Sequence, residues 1–150
     1  MQPGLVVTCL SGRYAPRGQH LLVPGVTTYS LGLLLPDGED RFVALFTTPP
    51  APDASGAVEV SAAGYARKAH DAWTTTSEVD GSFVRSNNGA IEFDAFVLPV
   101  TAGRIEAVGV YDALTLGNLL LWARCDMVED IEGGEQVRFV TGTLRFGSTP

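Results

Sequence analysis

The chain has 150 residues and a formal net charge of −7, from 10 Lys and Arg against 17 Asp and Glu. That balance argues against a nucleic-acid binder, which needs cations to neutralise phosphates, and against adhesion to an anionic membrane. One domain with a core of its own suits this length, and 17 Gly and 9 Pro point to strands joined by tight turns.

Residues 1–25 read as an arm and 26–150 as the domain. Pro3, Gly4, Gly12, Pro16, Gly18, Pro24 and Gly25 punctuate the arm, leaving Leu5–Leu10 and Gln19–Val23 as short extended pieces. Two readings stand for such a piece: a strand added to a neighbouring subunit, or a strand of the chain's own sheet. The start lacks a basic leader and the apolar runs fall short of the ~18 residues of a membrane span. A soluble product made in a cytoplasm is expected.

Thr27–Leu35 supports two patterns, since Leu31, Leu33 and Leu35 alternate as in a strand while Tyr29 and Leu33 share a helical face. Pro36–Asp40 is a turn. Arg41–Thr47 is almost continuously apolar, which predicts a strand covered on both faces. Pro49, Pro50 and Pro52 make the next segment a loop. Val58–Val60 and Tyr65–Trp73 are expected as strands around an Ala62-Ala63-Gly64 turn, followed by a polar Thr74–Asp80 stretch. Phe83–Arg85 and Ala90–Phe96 flank Asn88-Gly89, a dipeptide that favours hairpins because both residues tolerate positive φ. Ile91, Phe93 and Ala95 alternate with Glu92 and Asp94. Four further strands are expected at Arg104–Tyr111, Asn118–Asp126, Gln136–Val140 and Thr143–Phe146. Short strands at regular spacing with Gly turns predict an all-β chain, an antiparallel β-sandwich or jelly-roll-like single domain.

Little in the chain points to catalysis. Cys9 and Cys125 sit outside any Cys-x-x-Cys or Cys/His spacing and read as reduced thiols. His20 lies in the arm. His70 and Asp71 are adjacent on an expected strand, so they point to opposite faces and form no pair. Hydrolase and zinc-protease signatures are missing. Asp126, Glu129, Asp130, Glu132 and Glu135 crowd one stretch, without the ligand order of a calcium loop, and read as solvated surface, as do Asp37 and Asp40. No catalytic residue, cofactor or metal ligand is expected; a calcium site in 126–135 is the alternative. Leu119–Ala123 carries the hint of an interface. By strict alternation Leu120 and Trp122 share the face opposite Leu119, Leu121 and Ala123, so either a loop or another subunit covers them. The subunit is favoured, with Trp73 and Tyr65 as further apolar contact points.

Two phrases remain. One is Glu59-Val60-Ser61-Ala62-Ala63-Gly64-Tyr65-Ala66-Arg67; the other is Val108-Gly109-Val110-Tyr111-Asp112-Ala113, running into Gly117–Trp122. Together they resemble a family of small tailed-bacteriophage proteins called tail fibre or tail adaptor proteins. Members share an E-V-S-G-G-G-Y-A-R segment, a V-G-aliphatic-aromatic-D-A turn and a closing Gly-rich hairpin. The resemblance runs from Arg41 to Phe146. It departs from the family at Ala62-Ala63, at the acidic Glu129–Glu135 turn, and over the first 40 residues. It implies a short helix near 27–35 and a virion component in or near the tail. It also implies self-association, docking onto other virion proteins, and no catalytic residue to carry over. The alternatives are a head-decoration or head–tail connector protein on the same scaffold, and a carbohydrate- or calcium-binding module. A host-surface glycan is a partner with no motif behind it.

Overall fold

A computed structural model describes residues 5–6, 32, 34–51, 55–77, 83–97, 104–124, 134 and 136–147. Its described strands are β1 (Leu5–Val6), β2 (Arg41–Thr48), β3 (Val58–Glu59), β4 (Lys68–His70), β5 (Trp73–Ser77) and β6 (Phe83–Asn87). They continue with β7 (Ile91–Glu92), β8 (Ala107–Tyr111), β9 (Leu119–Arg124), β10 (Val137–Phe139) and β11 (Arg145–Gly147). The chain is all-β, as the alternating pattern predicts. No helix among the described residues is long and apolar enough to cross a membrane.

β2 organises the largest sheet. Its residues are buried from Val43 to Phe46, as an apolar run covered on both faces should be. β8 pairs antiparallel along one side, with Phe42 opposite Tyr111 and Phe46 opposite Ala107. β9 follows beyond β8. On its other side β2 pairs with β3 near Phe46 and with β4 from Arg41 to Val43. The Val58–Val60 and Tyr65–Trp73 segments therefore do not pair with each other around Ala62-Ala63-Gly64. They lie end to end along one edge of β2, separated by an excursion over residues 60–67.

Two smaller sheets close the core. β5, β6 and β11 form one; β1, β10 and β7 form the other, where Leu5–Val6 runs parallel to Val137–Arg138 of the same chain. The polar Thr74–Asp80 stretch contributes a real strand, Trp73–Ser77, because β-branched threonines suit a pleated surface. Asn88-Gly89 is not a hairpin turn. β6 and β7 belong to different sheets, and so do β10 and β11, so both connections are corners. Val43, Leu45, Val108, Val110, Leu121 and Ala123 of the large sheet pack with Trp73, Phe146, Ile91, Val137 and Phe139 of the small ones in one shared core. Of the 27–35 stretch, Gly32, Leu34 and Leu35 are described, with helical backbone at Gly32 and Leu34; the rest lies outside the described residues.

β9 departs from simple alternation. Val110 faces Leu121 but Tyr111 faces Leu119, so Leu120 is the extra residue of a bulge. The bulge turns Leu120 towards the main core beside Leu121 and puts Leu119 with Ala44, Phe46 and Ala107 on the opposite face of the sheet. Gly109 sits under that second cluster. A Cβ there would stand 2.5 Å from Phe46 Cε2 and 2.7 Å from Leu119 Cδ1, so glycine leaves the space that Phe46 fills.

Candidate functional site

The two phrases meet at one point. Where β3 and β4 part company, β2 would be left with unpaired backbone groups at Leu45. The Leu45 carbonyl instead accepts from the Val60 N–H (2.9 Å), and its N–H donates to the Tyr65 hydroxyl at 3.1 Å. Tyr65 thus takes the place of a missing strand residue, which matters because an unpaired buried N–H is costly. Its own proton goes to Glu59 Oε2 at 2.5 Å. The ring stacks on Phe93, with centroids 6.1 Å apart. Burial pushes the phenol's pKa far above the usual tyrosine range, and the bond to the Glu59 carboxylate pushes the same way.

Arg67 completes the arrangement. Nε and Nη2 reach the two oxygens of Glu59 at 3.0 and 2.9 Å, a bidentate fork. Nη1 donates to the carbonyls of Ala113 (2.9 Å) and Leu116 (2.7 Å) in the β8–β9 loop. The guanidinium carbon lies 3.6 Å from the centre of the Tyr111 ring. Burial works against the Arg67 charge, but the Glu59 carboxylate outweighs it and the pKa rises. Tyr111 is also raised, by burial and then by Glu59. A single side chain therefore ties the first phrase to the second.

The loop it holds is unusual. Leu116 has φ +56, the described non-glycine residue in the left-handed region, and Gly117 follows at +75. A leucine there costs on the order of 1–2 kcal/mol. Asp112 closes the turn by accepting from the Asn118 N–H (2.7 Å) and Asn118 Nδ2 (2.9 Å), and the first of these bonds holds its carboxyl below the usual range. Leu114 and Leu116 point outward, 52% and 85% exposed. Gly64 is the glycine of the first phrase that cannot be spared. Its φ is +89 and a Cβ would lie 2.8 Å from the Ala95 carbonyl, whereas Ala62 and Ala63 stand where side chains are tolerated.

A second polar hub lies at the corners. Asn87 is 1% exposed, donating from Nδ2 to the carbonyls of Gly89 (2.7 Å) and Val140 (3.1 Å). Its Oδ1 accepts from the Leu144 N–H at 3.0 Å, and its backbone bonds Leu144 and Gly142. Arg85, also buried, joins the Leu35 carbonyl, Thr75 Oγ1 and Asp37. Asp37 in turn accepts from the Trp73 N–H, the main reason its carboxyl titrates low.

The family model of the podophage GP4 fiber I protein gp80 matches residues 35–147, a span that holds both phrases, the Arg67 node and the Asn87 corner. The chain belongs to that family of phage tail-fibre proteins. No protein of curated function matches it. The matched span takes in every described strand except β1.

The expected contact residues sit deeper than alternation suggests. Trp73 and Trp122 are 3% and 4% exposed within this single chain, while Tyr65 and Leu120 are half-buried against its core. The bulge accounts for Leu120 alone, which it sends inward; Trp122 stays on the second face, where alternation places it. As placed, these side chains present little area to a partner. His70 donates from Nε2 to the Ala72 carbonyl (2.6 Å), packs edge-on against Trp73, and is lowered in pKa by burial. Cys9, His20 and Cys125 lie outside the described residues, as does 126–135 apart from Gly134. Among the described residues, no three His, Cys, Asp or Glu side chains gather as a metal site. Sequence reasoning missed Asn87, Arg85 and the Arg67 reach to the β8–β9 loop. Only Arg67 carried a signal, as the cation at the end of a phrase with a carboxylate at its start.

Proposed function

We propose that the chain is a non-enzymatic structural component of the podophage tail, which self-associates and docks onto neighbouring virion proteins. The observation that carries this reading is the Arg67 node within the fibre-family span. Its carboxylate, phenol and guanidinium are all engaged with each other and with backbone. No group there is left poised as a nucleophile or base, as a reaction would require. What the node does supply is shape: it closes an open sheet edge and fixes an outward loop.

The test is a pair of measurements. Purified particles, separated into heads and tails, are probed for the chain by mass spectrometry, and the free protein is weighed by light scattering over a concentration series. Enrichment in tails with a mass above the monomer supports the proposal. Absence from tails overturns the structural role; a monomer at every concentration overturns self-association.

A further inference from the structure

The large sheet carries two unlike features at its two ends. At one end, after Tyr111, the Asp112–Asn118 loop presents Leu114 and Leu116 to solvent, with the Asp112 carboxylate at its base. The loop is not free to collapse, because Arg67 clamps its carbonyls. At the other end, where β2 runs out past Thr48 and Ala107 faces Arg124, a groove of about 450 Å³ opens. Its lining includes Pro49, Pro50, Ala51, Gly56, Trp122 and Arg124. Arg124 is exposed and has no ion-pair partner among the described residues. Trp122 keeps a buried Nε1–H without an acceptor among the described residues. One end is thus apolar with a carboxylate, and the other is apolar with a cation. Four residue steps of β8 separate the ends, roughly 13 Å at about 3.3 Å per residue.

We infer that the Asp112–Asn118 loop of one copy seats in the Pro49–Arg124 groove of the next, a head-to-tail contact between copies of this chain. The inference rests on the proposed structural role and names the surfaces for it. Leu114 and Leu116 supply the apolar contact, and Asp112 of one copy faces Arg124 of the next. Because tip and groove are different surfaces at opposite ends, the contact is heterologous, the kind that builds rings or filaments rather than closed twofold dimers. The left-handed Leu116 then has a reason. It is held in an unfavourable conformation so that its side chain stands outward, ready to dock.

A heterologous contact has a signature that a twofold contact lacks. The tip variant, Leu114→Ser with Leu116→Asn, keeps its groove; the groove variant, Ala51→Glu with Arg124→Glu, keeps its tip. Both sets of positions lie outside the core, and thermal melting confirms that each variant folds. Light scattering is expected to give oligomers for the native chain, monomers for each variant alone, and a heterodimer of twice the monomer mass for the equimolar mixture. A mixture that stays monomeric, a tip variant that assembles like the native chain, or a native chain that is always monomeric overturns the inference. Detection of the chain in purified tails is a separate readout, so the tail role can stand while this contact fails.

Discussion

The Arg67 node and the Asn87 corner do the same job in different ways. Each joins stretches that are distant in sequence: Arg67 links residue 59 to 113 and 116, and Asn87 links residue 89 to 140 and 144. The node uses ions at a sheet edge, where the Glu59 side chain keeps 26% of its exposure. The corner uses one neutral amide, 1% exposed and bonded almost wholly to backbone. A neutral amide avoids the desolvation cost that a charge would meet at that depth. What it gives up is any rescue by water when it is lost.

That contrast sets the largest expected effect. Asn87→Ala takes the amide away from the buried Leu144 N–H and from the Gly89 carbonyl, while the Val140 carbonyl keeps Thr143. This should cost about 3 kcal/mol, since each orphaned group costs about 1–3. The loss should appear as a lower denaturant midpoint with an unchanged slope. A loss under about 1 kcal/mol would mean that water reaches the corner.

Arg67→Lys comes next. Lysine keeps the charge but cannot fork to Glu59 while also reaching two loop carbonyls, so a loss of about 2 kcal/mol is expected by the same denaturation. Equal losses for Lys and Ala at this position would show that geometry, not charge, is what the node requires. A native-like Lys variant would show the reverse.

The two hubs also separate on pH. The folded Tyr65 pKa is raised above its ordinary value of 10.0, by burial first and the Glu59 bond second. Its contribution is therefore complete below pH 10 and declines as pH rises beyond it, because the unfolded chain releases the proton more readily. Stability should fall in that alkaline window for the native chain, and this component should vanish in Tyr65→Phe. Asn87 does not titrate, so Asn87→Ala should keep the same alkaline decline. Parallel curves for native and Tyr65→Phe proteins would remove Tyr65 as its source.

Much of this fold was readable because burial imposes alternation. β2 showed itself by a run too apolar for a half-wet strand, and β8 and β9 by Gly-bounded segments of the right length. The errors have a common cause, which is that pairing is not local. Asn88-Gly89 has hairpin chemistry, yet β6 finds better partners in β5 and β11, and Asn87 turns the chain to another sheet. Tyr65 looked like a strand residue, yet its hydroxyl acts in a gap that exists only because β3 and β4 share an edge. A one-residue bulge at Leu120 was enough to exchange the faces of Leu119 and Leu120. The candidate site was half legible: Glu59, Tyr65 and Arg67 lie in one phrase, but their target carbonyls at 113 and 116 have no side-chain identity to read.

The smallest effect expected is a gain, and it sharpens the comparison from the opposite side. Leu116 is 85% exposed, so its side chain contributes almost nothing to the core, while its φ of +56 is unfavourable for any residue with a branched or bulky side chain. Asparagine adopts that conformation more readily. Leu116→Asn should therefore stabilise the isolated monomer by about 0.5–1 kcal/mol, the reverse of both hub substitutions, because only strain is removed and the Arg67 bond to its carbonyl is kept. Thermal melting at a concentration where the native chain is monomeric is the measurement. A stabilised monomer would establish that the leucine is kept at this position at the expense of the fold. An unchanged or lowered melting temperature would mean that the loop relaxes around Leu116 and stores no strain.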